Sequence, residues 1–101
     1  MIVCTGSLGF PRARGIELRT EQQSFNFTRS VRQAVAILTG TNFGFSPRDD
    51  HHIGKIVVRL STSIDDDVVT VVGTFGVRDW SGDVDDDYEG TVFFAVIAET
   101  S

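Results

Sequence analysis

Thr91-Val92-Phe93-Phe94-Ala95-Val96-Ile97-Ala98 is the stretch whose reading decides the fold. Its β-branched and aromatic residues favour an extended chain, and both parities of the run are apolar. A strand of that kind is covered on both sides. In a chain of 101 residues, which forms one domain and buries roughly two-thirds of its unfolded surface, one covering layer is a packed second sheet. The other is either more of the same core or a second subunit.

Working outward, Val68 to Arg78 is the longest strand candidate, with Val69, Val71, Phe75 and Val77 on one face. Gly73 and Gly76 within it mark a bulge or the close approach of another backbone. Asp65-Asp66-Asp67 is the turn before it, and Ile56, Val58 and Leu60 alternate with Lys55, Val57, Arg59 and Ser61 as a further strand. Phe43 and Phe45 continue an alternation that starts before Gly40-Thr41-Asn42, a turn or bulge. From Val31 to Thr39 the pattern puts Val31, Val35 and Ile37 on one face and Ala34, Ala36 and Leu38 on the other, which reads as a strand. A short helix capped by Ser30 is the alternative. Phe25 and Phe27 alternate about Asn26, Glu21 to Ser24 reads as a connection, and Ile16 to Arg19 as a half-buried strand. Gly6 to Gly15 reads as loop because of its three Gly and one Pro, and Ile2 to Thr5 as an edge strand. Six to eight short strands in sequence give an all-β fold, a small antiparallel β-sandwich. Residues 1–24 form its N-terminal strand and loop segment and residues 25–101 its core.

The formal net charge of −5 argues against a nucleic-acid partner, which selects a basic surface. Arg12, Arg14, Arg19, Arg29, Arg32 and Arg48 lie in the first half and most acids after Asp49, an asymmetry that lets one subunit's basic part meet another's acidic part. No run reaches the roughly 18 apolar residues of a membrane span, and Met1 to Gly6 lacks the pattern of a signal peptide, so the expectation is a soluble protein. Cys4 is the single cysteine and forms no intrachain disulfide. Asn26-Phe27-Thr28 matches a glycosylation sequon by chance.

Arg78 to Gly90 carries six carboxylates together with the only Trp and the only Tyr. Asp79, Trp80, Asp83 and Tyr88 there combine an aromatic face with hydrogen-bond acceptors, the chemistry that holds a sugar ring. Asp83, Asp85, Asp87 and Glu89 alternate as oxygen ligands for calcium do, although the EF-hand spacing is not met. Against both stand the ordinary readings of a solvated acidic loop tip and a Trp plugging one end of the sandwich. His51 and His52, after Asp49-Asp50, are of metal-ligand type, but adjacent residues of an extended chain point to opposite faces. Catalysis has little behind it: Ser46, His51 and Asp79 can be named as a triad from letters alone, and Cys4 has no activating base nearby in sequence. The expectation is no enzyme.

The order Phe25, then Val31-Arg32-Gln33-Ala34-Val35-Ala36-Ile37-Leu38-Thr39-Gly40, a polar loop, and paired strands ending in Val92 to Ala98 resembles the H-type lectin domain over Phe25 to Glu99. That resemblance implies a small antiparallel sandwich that forms trimers or hexamers and binds N-acetylgalactosamine-like sugars at subunit boundaries. The family usually closes on a Trp-containing strand, whereas Phe93 to Ile97 has none, so no family binding residue is carried across. Two functions follow as expectations. One is a non-catalytic, homo-oligomeric module binding a glycan through Asp79, Trp80, Asp83, Tyr88, His51 and His52. The other is an assembly subunit whose acidic loop, with or without calcium, docks Arg12, Arg14 or Arg48 of a neighbour.

Overall fold

A computed structural model of the chain describes residues 1–13, 18–45, 53–79 and 88–101. Among them every regular element is a strand: β1 Ile2–Ala13, β2 Arg19–Asn26, β3 Val31–Phe45, β4 Ile53–Asp65, β5 Val68–Asp79 and β6 Tyr88–Thr100. They form two antiparallel three-stranded sheets, ordered β1-β6-β3 and β2-β5-β4, packed together as a sandwich. Val31 to Thr39 is therefore strand, as its β-branched alternation indicates. Only β4 and β5 are joined as a hairpin, through Asp66 and Asp67; every other connection passes between sheets. Asp66 takes the left-handed conformation, φ 56°, which Asp tolerates better than most residues because its short polar side chain bonds locally. Here it accepts a hydrogen bond from Ser30 Oγ, while the backbone carbonyls of Asp66 and Asp67 accept from the N–H groups of Val31 and Phe27.

The core lies between the two central strands. Val69, Val71, Phe75 and Val77 of β5 share one buried face, and Val92, Phe94, Val96 and Ala98 of β6 meet them. Phe75 is at the centre of an aromatic group, with ring centroids 5.1 Å from Phe10, 6.2 Å from Phe43 and 5.7 Å from Tyr88. Each fully buried side chain of this size contributes roughly 1.5–3 kcal/mol. Gly73 leaves room for Leu8 of the opposite sheet, whose Cδ1 lies 2.5 Å from where a Cβ would stand; the close approach is that of a side chain and not of another backbone.

Three local expectations are corrected. Gly6 to Ala13 is not loop but the body of β1, which pairs with β6 from Ile2↔Ala98 to Ala13↔Tyr88. Its Pro11 is tolerated because β1 is an edge strand, and Gly6 is small because a Cβ there would meet Gln23 Oε1 and Phe94 Cζ, each at 2.7 Å. Glu21 to Ser24 is not a connection either, but the middle of β2, paired with Gly73 to Thr70. Val31 does not share a face with Val35 and Ile37: it is buried, whereas they are exposed. A register shift between Val31 and Gln33 changes the phase of the alternation. A second shift between Leu38 and Gly40 returns Phe43 to the inner side.

The strands are long for so small a chain. Twelve to fifteen residues in five of them at about 3.3 Å each give a body 50 × 19 × 17 Å in extent, with a radius of gyration of 15.7 Å. A compact domain of this length has about 13 Å. The sandwich is accordingly narrow, with much flank for its core.

Candidate functional site

Strand register brings the strand ends that flank the chemically unusual clusters to one end of this body. The last residues of β1 and β3, Ala13 and Phe45, both pair with Tyr88, the first of β6. Ile53, the first of β4, pairs with Asp79, the last of β5. The connections 14–18, 46–52 and 80–87 thus all leave and return at the same end. The opposite end holds the Asp66–Asp67 turn, residues 27–30 and both termini. His51, His52, Trp80, Asp83, Asp85 and Asp87 lie outside the described residues; Asp79 closes β5 at this end, and Tyr88 and Glu89 open β6.

Tyr88 and Glu89 take opposite sides of β6. Tyr88 is 1% exposed, with Phe75 against its ring and the Arg19 guanidinium 4.5 Å above the ring centre. Its ring is a wall of the core. Glu89 is exposed, opposite Gly44. Among the described residues no group of three or more His, Cys, Asp or Glu is gathered to hold a metal.

Arg19 is the structural surprise at this end, and no sequence pattern marked it. From the start of β2 its guanidinium donates to the carbonyls of Pro11, in β1, and of Tyr88, in β6, the latter at 3.2 Å. It also lies 5.8 Å from the centre of the Phe10 ring, so it combines cation–π contact with the fork of donors that only Arg offers. One side chain thereby joins three strands and both sheets directly beneath the connections.

The two outer faces of the sandwich are chemically unlike. On β2-β5-β4 the outward cross-strand rows are Ser24–Thr70–Ser63, Gln22–Val72–Ser61 and Thr20–Thr74–Arg59, and Ser24 Oγ and Thr70 Oγ1 are hydrogen-bonded at 2.9 Å. This is the polar-out alternation of a sheet that faces water. On β1-β6-β3 the outward rows are Val3–Ile97–Val35, Thr5–Ala95–Ile37 and Ser7–Phe93–Gly40. Val3 is 58% exposed, Val35 50%, Ile37 45% and Phe93 42%. Within Thr91 to Ala98, Phe94 and Val96 face the core, and Phe93, Ala95 and Ile97 face outward.

Compared with protein-family models, curated proteins and solved structures, the chain matches none.

Proposed function

We propose that the chain is a non-catalytic recognition module that works as a homo-oligomer and binds a carbohydrate through the end of the sandwich where its three long connections leave. The observation that carries this reading is the convergence of strand ends: Ala13, Phe45 and Tyr88 in one sheet, Ile53 and Asp79 in the other. Binding residues are commonly set on connections held by a rigid frame, and here the frame is two sheets locked by the Phe75 cluster and by Arg19. The connections carry Trp80 for ring stacking, Asp83, with Asp79 at the end of β5, for hydroxyl groups, and His51 and His52 as further polar contacts. The resemblance to H-type lectins supports the same ligand class. Calcium, held by Asp83, Asp85, Asp87 and Glu89, is a component of the proposal that the test includes.

The test is a glycan array probed with the wild type and with Trp80→Ala, in calcium and in EDTA. Binding by the wild type that is lost in Trp80→Ala supports the sugar site, and loss in EDTA supports calcium. No binding to any glycan by the wild type contradicts the carbohydrate reading; binding unchanged in EDTA contradicts the calcium component. The apolar outer face of β1-β6-β3 also favours an assembly subunit, whose acidic segment would meet Arg12, Arg14 or Arg48 of a neighbour. That version is salt-sensitive.

A further inference from the structure

The geometry points to the outer face of β1-β6-β3 as the surface on which a second copy of this chain docks. The inference deepens the homo-oligomeric part of the proposed function and is independent of its sugar part. Three observations carry it. First, this face is the more apolar of the two: Val3, Val35, Ile37, Phe93, Ala95 and Ile97 dominate it, with Thr5 and Ser7 at its β1 side, while the corresponding rows of β2-β5-β4 are Ser, Thr, Gln and Arg apart from Val57 and Val72. Contiguous apolar patches of a few hundred Å² mark interaction sites. Second, the size is right. The whole flank of a body 50 × 19 × 17 Å, the apolar rows together with the polar residues around them, has room for the roughly 800 Å² that each partner of a standard interface buries.

Third, charge selects the occupant. Between Glu89 and Glu99 none of the three strands places an ionisable group on this face. Two copies of a chain with net charge −5 therefore meet here without opposing like charges. An anionic lipid surface is disfavoured, because peripheral attachment relies on Lys and Arg around the apolar area, and a basic partner is drawn to the acidic segment at the end. The edge beside the face has the same character. After Arg32, β3 continues from Gln33 to Phe45 without a charge or a Pro, whereas the edge strands β1, β2 and β4 carry Pro11 with Arg12, Glu21, and Arg59. Edges of monomeric sheets are normally guarded by such residues. On β3 the devices of that kind, Arg32 with the register shift beside it and the register shift near Gly40, stand at the two ends of Gln33–Leu38, and Leu38 is 47% exposed.

The experiment is light scattering across a range of protein and salt concentrations. It compares wild type, the face variant Val35→Lys/Ile37→Lys, and a control on the other sheet, Ser61→Lys/Thr70→Lys. The expected result is a wild-type mass of at least twice 11.1 kDa that high salt does not lower, a fall to the single-chain mass in the face variant with unchanged circular dichroism, and no fall in the control. Wild type at the single-chain mass throughout overturns the inference and the homo-oligomeric reading together. An assembled wild type whose mass survives the face substitutions overturns the inference alone, as does dissociation by salt, which assigns the contact to Arg and acid. If the face variant does not fold, Ile37→Thr replaces it, with the same expected fall in mass.

Discussion

Phe75 shows how one residue sets this fold. It lies on β5, 0% exposed, with Phe10, Phe43 and Tyr88 around it from β1, β3 and β6. Phe10 and Phe43 precede it by 65 and 32 positions and Tyr88 follows it by 13, so only the finished sandwich collects them. Phe75→Ala removes the shared partner and leaves a cavity that aromatic neighbours fill poorly. Its expected cost is about 3–5 kcal/mol, a large part of the roughly 5–15 kcal/mol that holds a domain together. Urea unfolding measures it directly, and a loss of only about 1 kcal/mol would mean that the cluster is not the centre of the core. Phe75 was legible as an inward residue from its alternation with Val71 and Val77. Tyr88 was legible as half of an aromatic pair with Trp80, but not as a buried ring. Its burial depends on Arg19, 69 positions away, and no local pattern announces a cation over a ring.

At the scale of elements, alternation was readable wherever one face of a strand is apolar and the other polar, which is why β5 was legible almost to its ends and β4 in its middle, from Lys55 to Ser61. β1 and β2 were less so, for a common reason. Both are edge strands: β1 uses Gly6 where Gln23 and Phe94 leave no room for a side chain, Gly9 where a Cβ would meet nothing and Pro11 on an edge, and β2 has polar residues on both sides between Glu21 and Ser24. Glycine, proline and polarity are also the marks of a loop. The most informative element is β3, because its irregularities are functional in the folding sense. Ala34 and Ala36 pack against the core on even numbers, whereas Phe43 does so on an odd one, and the extra residue between Leu38 and Gly40 reconciles the two. Deleting Thr39 removes that residue. A one-residue slip sends every following side chain to the other face, so Phe43 would leave Phe75 and stand in water. The expected outcome is an unfolded or aggregated protein by circular dichroism, while Thr39→Ala keeps the wild-type spectrum. A folded deletion variant of wild-type stability would show that the shift has no role.

For the whole molecule, the decisive feature is the difference between its two outer faces. A narrow sandwich 50 Å long cannot hide a third apolar layer within itself, so the doubly apolar β6 leaves Phe93, Ala95 and Ile97 outside. The two-sided pattern of Thr91 to Ala98 told from sequence that a second cover was needed; which residues need it became legible only with the register of β1 and β3. The recognition end is of the same kind. Sequence marked Asp79 to Glu89 and His51–His52 as chemically unusual, but only pairing of strand ends shows that the segments carrying them start from one end. The most direct measurement is a methyl-detected NMR experiment on a mixture of isotope-labelled and unlabelled chains, which reports only contacts between copies. The expected result is intermolecular contact at the methyls of Val3, Val35, Ile37 and Ile97 and none at Val57 or Val72 on the other sheet. Intermolecular contacts confined to β2-β5-β4, or absent from every methyl, would contradict a second copy on β1-β6-β3.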